Sequence, residues 1–504
     1  MLLYSYSGGR HLLYLGVFKA SIYGFAITIV YLVNFLVVLN LVFREKRNSS
    51  TTLTWITILV LVPVLGFVLY FIFGRDLSKN NMFQLKEKDD KILKSNILKT
   101  QVALHSDLRF DRSANEHKDM ISALANSNNA HYTTNNSVDI YPDSSKFFNS
   151  LIVELKKATN YINIQFYIFK DDSIGKEIID ILVQKAKEGI EIRFLYDDVG
   201  GRNLSQKSIN HLKENGVKVA SFFPSFLKIV NFNINYRNHR KIVVIDNCVG
   251  FVGGFNIGDE YLGLDPKFGE WRDTHTKLTG DCVMDLNMRF MLDWKYTTKE
   301  DLDLYSHFQN SSEKCRCEDG NIGVQIVSSG PDIIDLDEIK YGYIKMIQKA
   351  TKYVYIQSPY LILDSTLIET LKLACLSGVD VRIMIPSKPD HPFVYWASYS
   401  YAGELLKFGA KIYTYGEDAF LHAKTIVSDD SICSIGTANM DIRSFELNFE
   451  VNAFIYSQEK SIELREIFER DIINSKEITP EIYHSRSTYI RFKESISRLL
   501  SSVL

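Results

Sequence analysis

Two long stretches near the N-terminus of this 504-residue chain carry no charged residue. The first covers residues 22–43 and the second covers residues 53–73, with only the short polar segment 44–52 between them. Each stretch holds about the 20 apolar residues that a helix needs to cross a bilayer. A cleaved signal peptide has a shorter apolar run and is not followed by a second span. The pattern therefore predicts a membrane anchor of two transmembrane helices, a hairpin, within residues 1–75.

Basic residues on both sides of the hairpin set its expected orientation. A hairpin leaves both of its ends on one side of the membrane, and cytoplasmic segments are enriched in Lys and Arg. The loop carries Arg44, Lys46 and Arg47, and the outer flanks carry Arg10, Lys19, Arg75 and Lys79. We therefore expect the large remainder of the chain on the cytoplasmic side.

Residues 76–136 are polar and charged, with a helix-like portion at 85–104. The charged run at 86–91 is typical of a solvated face. This composition predicts a juxtamembrane connector.

From about residue 138 onward the chain repeats itself. In each copy an amphipathic helix is followed by an alternating strand, and a Gly ends the next helix. The matching segments are 157–165 with 349–357, 185–193 with 373–382, and 213–219 with 407–412. This alternation predicts an α/β fold, a duplicated sandwich of two pseudo-symmetric lobes with a mixed sheet. We place lobe 1 at 137–310, lobe 2 at 321–504 and the seam at 308–321.

Each lobe contains a His-x-Lys-x4-Asp motif, followed after six residues by Gly-x-x-Asn. The first copy provides His239, Lys241, Asp246 and Asn256, and the second provides His422, Lys424, Asp429 and Asn439. A single copy would be explained most simply as a surface strand. Two copies with the same continuation predict two half-sites that meet in one active site.

The residue types point to phosphoryl chemistry. A histidine can attack phosphorus or move a proton near neutral pH. In a strand, residues i and i+2 share a face, so each His is expected beside its Lys. Two lysines, with Asn256 and Asn439 after small-residue turns as phosphate ligands, would match the charge of a phosphodiester without a metal. We therefore expect a covalent phosphohistidine, no metal and no cofactor.

Each histidine needs a carboxylate to orient its ring. Glu450 is the candidate for His422, and Asp273 is the candidate for His239; the alternative for both is an ordinary surface acid. Asp246 and Asp429 fall at strand ends beside turns. We expect them to hold the motif by hydrogen bonds rather than to transfer protons.

The overall composition excludes few classes of function. The net charge of −2 shows no overall basic character, so nucleic acid is not an expected partner. The six cysteines are scattered, and Cys315 and Cys317 alone lack the spacing of a zinc site.

These motifs resemble those of the bacterial cardiolipin synthases of the phospholipase D superfamily. The duplicated motif is the superfamily signature, and the resemblance extends over nearly the whole chain. Segments that resemble the cardiolipin synthase versions are 71–75, 235–242, 271–276, 436–450 and 493–500. Gly254 and Thr437 stand where many members of the superfamily have Ser, and Ser501 and Ser502 replace a usual proline.

The resemblance implies a membrane enzyme that converts two phosphatidylglycerol molecules into cardiolipin and glycerol. It implies a multi-pass protein of the bacterial cell membrane whose partners are phosphatidylglycerol and cardiolipin. It also implies His239 as the nucleophile that forms a phosphatidyl-histidine, and His422 as the acid and base. The pseudo-symmetry of the sequence does not assign these two roles, and the oligomeric state stays open.

Other functions use the same residues. A hydrolytic phospholipase D or a phosphatidylserine synthase would differ only in the acceptor. A nuclease would need a basic groove and no membrane spans. A non-enzymatic scaffold would be expected to lose one half-site.

Two apolar segments are candidates for lipid contact. Residues 221–230 either touch the bilayer and admit acyl chains or form a buried loop. In the C-terminal stretch 490–504, one helical face carries Ile496, Leu499, Leu500 and Val503. We expect this face to dock on the protein core rather than on a membrane.

Overall fold

The computed structural model describes residues 7–43, 49–70, 112–128, 130–224, 236–300, 320–332 and 336–501. The chain forms two compact units, Met1–Ser78 with Ser502–Leu504, and Lys79–Ser501. The helix predicted at 85–104 lies outside the described residues, as does most of the predicted seam.

The helices lie at the following bounds: α1 Ser7–Phe43, α2 Ser49–Leu61, α3 Pro63–Leu69, α4 Arg112–Glu116, α5 Lys118–Asn128, α6 Ser144–Lys157, α7 Ser173–Lys187, α8 Gln206–Glu214, α9 Cys282–Thr298, α10 Glu338–Lys349, α11 Ser365–Leu376, α12 Pro392–Leu406, α13 Ile442–Glu446, α14 Gln458–Ile473, α15 Pro480–His484 and α16 Thr488–Leu500.

The strands lie at these bounds: β1 Tyr132–Tyr141, β2 Tyr161–Phe166, β3 Glu191–Asp197, β4 Lys218–Phe222, β5 Arg237–Asn238, β6 Ile242–Ile245, β7 Val249–Gly253, β8 Glu270–Arg272, β9 His275–Gly280, β10 Ile322–Ser329, β11 Tyr353–Gln357, β12 Leu361–Ile362, β13 Asp380–Pro386, β14 Lys411–Tyr415, β15 Ala419–Leu421, β16 Thr425–Ser428, β17 Ile432–Gly436, β18 Met440–Asp441, β19 Asn448–Tyr456 and β20 Ser475–Ile478.

In the N-terminal unit, α1 packs against α2 and α3 through a buried asparagine. Pro63 separates α2 from α3 and has no N–H, so the preceding turn lacks one helical donor. The Asn34 side chain donates instead to the carbonyl oxygens of Leu59 and Pro63, both at 3.0 Å. Among the described residues, no helix is both long and apolar enough to cross a bilayer.

The second unit is built on one mixed sheet that contains sixteen strands in the described residues. One half has the order β1-β9-β7-β6-β2-β3-β4, and the other has β10-β19-β17-β16-β11-β13-β14-β20. The halves join where β1 and β10 pair antiparallel. Strand for strand, the first seven positions of each half correspond. The predicted duplicated α/β fold is confirmed.

Local sequence explains why the two halves repeat. Asp172 and Asp364 accept hydrogen bonds from backbone N–H groups in the first turns of α7 and α11, which satisfies donors that a helix start leaves free. Gly189 and Gly378 follow the ends of these helices with φ of 89° and 85°, a left-handed conformation that favours glycine. Each helix therefore ends at the same point before β3 or β13.

The predicted boundary between connector and lobe 1 at residue 137 is wrong. Strand β1 begins at Tyr132 and pairs with both β9 and β10 in the centre of the sheet. The preceding helix is also attached, because Gln325 Nε2 donates to the carbonyl oxygen of Ile121 at 3.1 Å. The polar composition before residue 137 hid a strand whose polar side chains alternate with buried ones.

The two candidate lipid-contact segments have different outcomes. Phe222 and Phe223 are buried in the core, whereas residues 225–230 lie outside the described residues. On α16, Ile496 and Leu499 are exposed, so the expectation that this face docks on the protein core is wrong. Val503 lies outside the described residues.

Candidate active site

The two His-x-Lys triplets lie where the halves of the sheet exchange short strands. Strand β5, just before His239, pairs parallel with the start of β19 from the second half. Strand β15, just before His422, pairs parallel with β8 from the first half. The triplets connect these short strands to β6 and β16, so the prediction that His and Lys lie within one strand is wrong.

The backbone N–H of each histidine also donates a hydrogen bond to the opposite half. His239 N–H donates to the carbonyl oxygen of Phe449 at 3.0 Å, and His422 N–H donates to that of Arg272 at 2.7 Å. The residue that follows each acceptor is the carboxylate of the site, Glu450 or Asp273. The backbone bond therefore places each imidazole beside a carboxylate from the opposite half.

His239 Nδ1 lies 3.0 Å from the Glu450 carboxylate and 3.2 Å from the carbonyl oxygen of Thr437. Both neighbours are acceptors, so Nδ1 carries the proton and Nε2 is left with a lone pair. Glu450 is fully buried.

His422 Nδ1 lies 2.7 Å from Asp273 Oδ2 and 2.7 Å from Lys424 Nζ. One nitrogen cannot donate to the carboxylate and accept from the ammonium at once. We assign Nδ1–H to Asp273, because Lys424 Nζ also donates to the His422 carbonyl oxygen. The lone pair of Nε2 is again the reactive one.

The predicted pairing of the carboxylates is thus wrong, although both predicted residues contact a histidine. Glu450 pairs with His239 and Asp273 pairs with His422. The prediction assumed partners within one half, whereas β5 and β15 each cross to the other half. Nothing in the spacing along the chain records this crossing.

The two lysines are buried and point back at their own motif. Lys241 Nζ donates to the carbonyl oxygen of His239 at 2.7 Å, as Lys424 does at His422. Burial lowers the pKa of Lys241 to about 7 and that of Lys424 to about 8. An anion placed between them would restore their positive charge.

Charges cross the site from half to half. Burial lowers the pKa of His239, Glu450 opposes this, and the charge of Lys424 adds to the lowering. Burial and Lys424 lower the pKa of His422 to about 4, and Lys241 contributes. The charge of each lysine therefore lowers the pKa of the histidine in the opposite half. This interaction indicates that the two half-sites form one centre.

The carboxyl groups are ionised despite their burial. Burial alone would raise the pKa of Glu450, but His239 and Lys241 outweigh it and hold that pKa below its ordinary value. Lys424 and His422 do the same for Asp273.

Asp246 and Asp429 end their motifs at hairpin turns. Asp246 has φ of 54° and Asp429 has φ of 52°, and each is followed by a second residue with positive φ, as in a type I′ turn. Asp246 accepts three backbone N–H bonds from residues 159–161, and Asp429 accepts three from residues 351–353. Four strand residues at about 3.3 Å each separate them from the lysines, so they do not reach the histidines.

The two predicted phosphate ligands are buried and differ from each other. Asn256 Oδ1 accepts from the backbone N–H of Ile168 at 3.0 Å, and its Nδ2 donates to the Tyr261 hydroxyl at 3.1 Å. Asn439 Nδ2 lies 3.4 Å from Asp441, and its Oδ1 has no hydrogen-bond partner among the described residues. Each amide keeps one N–H available, and the phosphate-binding role of both stays a prediction.

Gly254 is required by the close approach of Asp273. A Cβ at position 254 would collide with the Asp273 carboxylate. The corresponding residue of the other half, Thr437, has room for a side chain and accepts from the backbone N–H of Val451 at 2.9 Å. The close contact with Asp273 therefore explains why position 254 has Gly where many members of the superfamily have Ser.

Sequence reasoning missed a group beside His239. The Tyr167 ring packs edge-on against His239, with ring centroids 5.0 Å apart, and Lys241 Nζ lies 5.5 Å from the same ring. Burial raises the pKa of Tyr167, and the charges of Arg237 and Arg443 oppose that rise. Both arginines stand a few residues from a motif, within the family-like segments 235–242 and 436–450.

It also missed the arginines that hold the two halves together. Buried Arg240 donates to both Asp293 oxygens at 2.7 Å and to the carbonyl oxygen of Glu450 at 3.0 Å. Arg272 donates to Asp471 of the second half at 3.0 Å. The hydrogen bond from Arg240 thus holds the Glu450 backbone, and the Arg272–Asp471 ion pair holds the backbone next to Asp273.

The sequence matches two known families. Residues 151–265 and 343–472 match the family described as "Cardiolipin synthase, PLD-like domain". Residues 31–75 match the family described as "Phospholipase_D-nuclease N-terminal".

Curated relatives match along almost the whole chain. The major cardiolipin synthase ClsA of Bacillus subtilis is 47% identical over 489 residues, which cover 96% of this chain and all of that protein. The cardiolipin synthase of Oceanobacillus iheyensis is 46% identical over 94% of this chain and 98% of that protein. The cardiolipin synthase of Staphylococcus aureus strain N315 is 45% identical, with coverage of 94% and 95%.

Among solved structures, the phosphatidylserine synthase of Haemophilus influenzae Rd KW20 has the same fold, with a TM-score of 0.58 at 15% identity. It aligns over 77% of this chain and 100% of that one. The resemblance first carried by the duplicated His-x-Lys motifs is confirmed along the chain. The chain belongs to the bacterial cardiolipin synthases of the phospholipase D superfamily.

Proposed function

We propose that this protein transfers a phosphatidyl group from one phosphatidylglycerol to another, forming cardiolipin and releasing glycerol. The observation that carries the proposal is the crossed pair of His–carboxylate dyads in one buried centre, within a chain of this family. Both dyads keep Nδ1 occupied and leave Nε2 for chemistry.

The residues provide a balanced route. His239 Nε2 attacks phosphorus, the bond to the glycerol oxygen breaks, and that oxygen takes a proton from His422 Nε2. The terminal hydroxyl of a second phosphatidylglycerol then returns a proton to His422, and its oxygen attacks phosphorus as the bond to His239 breaks. Over the two steps one phosphodiester bond breaks and another forms, so no external energy source is needed.

A bound anion changes the charge balance of the site. When both lysines are protonated, their two positive charges offset the negative charges of Asp273 and Glu450. A phosphodiester adds one negative charge, which raises the pKa of the histidines and lysines around it. Binding of the donor therefore favours the protonated form that His422 needs as an acid.

A product assay tests the acceptor. With phosphatidylglycerol as the only lipid, the full-length protein should form cardiolipin and glycerol in equal amounts, with little phosphatidic acid, because membrane lipids are concentrated at the site. Added glycerol should drive the reaction backwards. Phosphatidic acid as the main product would indicate a hydrolytic phospholipase D, and a requirement for serine would indicate a phosphatidylserine synthase.

We infer that Arg237 holds the phosphodiester of the acceptor lipid. Arg237 is 5% exposed, and its Nη2 has no hydrogen-bond partner among the described residues. Its guanidinium lies near the charges of Asp197 and Arg443 and near Tyr167, whose ring contacts His239. Cardiolipin carries two phosphates separated by one glycerol, so a second anion must lie near the first.

The product assay with phosphatidylglycerol as the only lipid also tests the proposed role of Arg237. Arg237→Gln should raise the KM for phosphatidylglycerol and shift products towards phosphatidic acid by about tenfold, the effect expected for one charge-assisted hydrogen bond. Arg237→Lys should recover part of the transfer. An unchanged product ratio in Arg237→Gln would remove Arg237 from the acceptor site.

The lysines give the proposal a pH signature. The positive charge of Lys241 and Lys424 is present below a pKa of about 7 and about 8 and is lost above it. We therefore expect kcat/KM, which reports the free enzyme, to fall as pH rises through this window. The fall in kcat should come at higher pH, because the bound phosphodiester raises both pKa values. A kcat/KM that stays level up to pH 9.5 would contradict this assignment.

We propose that residues 1–75 anchor the enzyme as two transmembrane helices with the catalytic unit on the cytoplasmic side. The uncharged stretches 22–43 and 53–73 and the family match at 31–75 support this. The anchored protein should resist alkaline carbonate extraction. External protease should cleave residues 79–501 in inside-out vesicles and spare them in intact spheroplasts; the reverse pattern would overturn the sidedness.

A further inference from the structure

The C-terminal helix α16 packs with its polar face inward. Its buried side chains are Glu494 and Ser497, and Ser501 is buried just beyond its end. Its apolar face points away from the protein, with Phe492 62% and Leu499 69% exposed. A helix that only completed a protein core would do the opposite.

The inward face is held by specific polar contacts with α12. Ser501 lies 3.2 Å from the Tyr401 hydroxyl, and the Arg498 guanidinium lies 4.3 Å above the Tyr401 ring and pairs with Glu404. Glu494 accepts from Arg486 at 3.0 Å. These contacts fix the rotation of the helix, so the outward position of the apolar face is set by the fold.

Exposed apolar side chains lie along one side of α16, at positions 489, 492, 496 and 499, and at the start of α12, which packs against α16. We call this set the α16 apolar face, and it consists of Phe393, Tyr489, Phe492, Ile496 and Leu499, each at least 37% exposed. A cluster of large exposed apolar side chains marks an interaction site.

Basic residues border this face. Lys493 Nζ lies 4.4 Å from the Tyr489 ring and 5.1 Å from the Trp396 ring. Arg491 is exposed and donates to a backbone carbonyl oxygen. Aromatic rings with lysine and arginine beside them are typical of helices that lie in the interface of an anionic bilayer.

The α16 apolar face is connected to the active site through α12. The Ser398 hydroxyl of α12 accepts from the backbone N–H of Leu361 at 2.9 Å, and β12 pairs with β18, which directly follows Asn439. Before the N-terminus of α12, Asp390 accepts from the Tyr360 hydroxyl, and its charge acts on Lys424. The segment that precedes α12 thus contacts Tyr360, Ser398 of α12 contacts Leu361, and other residues of α12 contact α16.

We propose that the α16 apolar face lies on the surface of the anionic bilayer and holds the catalytic unit against the lipid from which the donor is taken. The proposal rests on the proposed function, since the substrate is then an anionic lipid of that bilayer. A second copy of the chain would not explain the basic border, which would face its own charge across the contact.

Photo-crosslinking tests the contact without reference to activity. A benzophenone amino acid at position 492 or 499 of the full-length protein, in vesicles of phosphatidylglycerol and phosphatidylcholine, should give lipid adducts at least fivefold above those at two control positions. The controls are Ile473 on α14, 81% exposed, and Val153 on α6, 48% exposed. Equal lipid adducts at all four positions, or protein–protein adducts at 492 and 499, would overturn the proposal.

Kinetics provide a second readout. Phe492→Ser combined with Leu499→Ser should raise the KM for vesicle phosphatidylglycerol by about tenfold, the effect of losing large apolar side chains from the lipid. Its activity on a short-chain, monomeric phosphatidylglycerol should stay within twofold of the unchanged protein. Ile473→Ser with Val153→Ser should leave both values unchanged.

The outcomes separate the two proposals. Equal KM values for the Phe492→Ser, Leu499→Ser protein and the control protein on vesicles would overturn docking. A loss on the monomeric lipid as well would overturn it in favour of a folding defect. Absence of cardiolipin from the unchanged protein on both substrates would defeat the proposed function instead, and the crosslinking result would still decide the docking.

Discussion

Replacement of His239 or His422 by alanine is expected to abolish cardiolipin formation. Loss of the nucleophile removes the covalent route, which should lower kcat by about 10⁴-fold or more, and loss of the acid should lower it by about 10²- to 10⁴-fold. The proteins should remain folded, because each imidazole pairs with a carboxylate and neither belongs to the apolar core. The measurement is initial cardiolipin formation together with thermal unfolding.

A matched control is His211→Ala, because His211 is exposed on α8 and lies outside the candidate site. It should leave turnover unchanged. Near-normal cardiolipin formation by either His239→Ala or His422→Ala would exclude a single shared centre.

The same variants identify the nucleophile. In His422→Ala, a phosphatidyl donor with a good leaving group needs no acid, so the phosphatidyl-enzyme should form and accumulate. Mass spectrometry should then find an acid-labile phosphoramidate on the peptide that contains His239. A phosphoramidate on His422 in the His239→Ala protein, and none in the converse experiment, would reverse the assigned roles.

The fold could be predicted because its signals are local. Each half shows the helix and strand periods, an Asp at a helix start and a Gly at the helix end. The second half repeats these signals. Residues 132–136 escaped because alternation of polar and buried side chains in β1 resembles a solvated connector when read without its neighbours.

The site could be predicted only as a set of residues. His239, His422, Asp273 and Glu450 all meet in the structure, but the sequence could not tell which carboxylate serves which histidine. The pairing of each carboxylate with a histidine depends on β5 and β15, which each pair with a strand of the other half. Such an exchange of strands produces no periodic pattern in the sequence.

Helix α16 illustrates a second limit of pattern reading. The sequence identifies an apolar face containing Ile496 and Leu499, and burial of such a face in the core is the usual outcome. What reverses it here is a set of polar contacts with Tyr401 and Glu404, which lie about 100 residues earlier in the chain. Amphipathicity reports that a helix has two faces, and tertiary contacts decide which one turns inward.

The crossed dyads make the second large prediction. Glu450→Gln and Asp273→Asn should each lower kcat by about 10²- to 10⁴-fold, because an amide neither fixes the ring tautomer nor supports a positive imidazole. The KM for phosphatidylglycerol should change less than kcat. Wild-type rates in either variant would show that the replaced residue is a buried structural acid and does not orient a histidine.

A donor with a good leaving group decides the pairing itself. Such a donor removes the need for the acid histidine in the first step, so the single-turnover release of its leaving group should be restored in His422→Ala and not in His239→Ala. Because Asp273 acts on His422, Asp273→Asn should be rescued together with His422→Ala, and Glu450→Gln should stay as slow as His239→Ala. If the two histidine roles were exchanged, both members of each pair would change places together. Only a rescue of Glu450→Gln together with His422→Ala would contradict the crossing, because it would place that carboxylate and that histidine in one catalytic half.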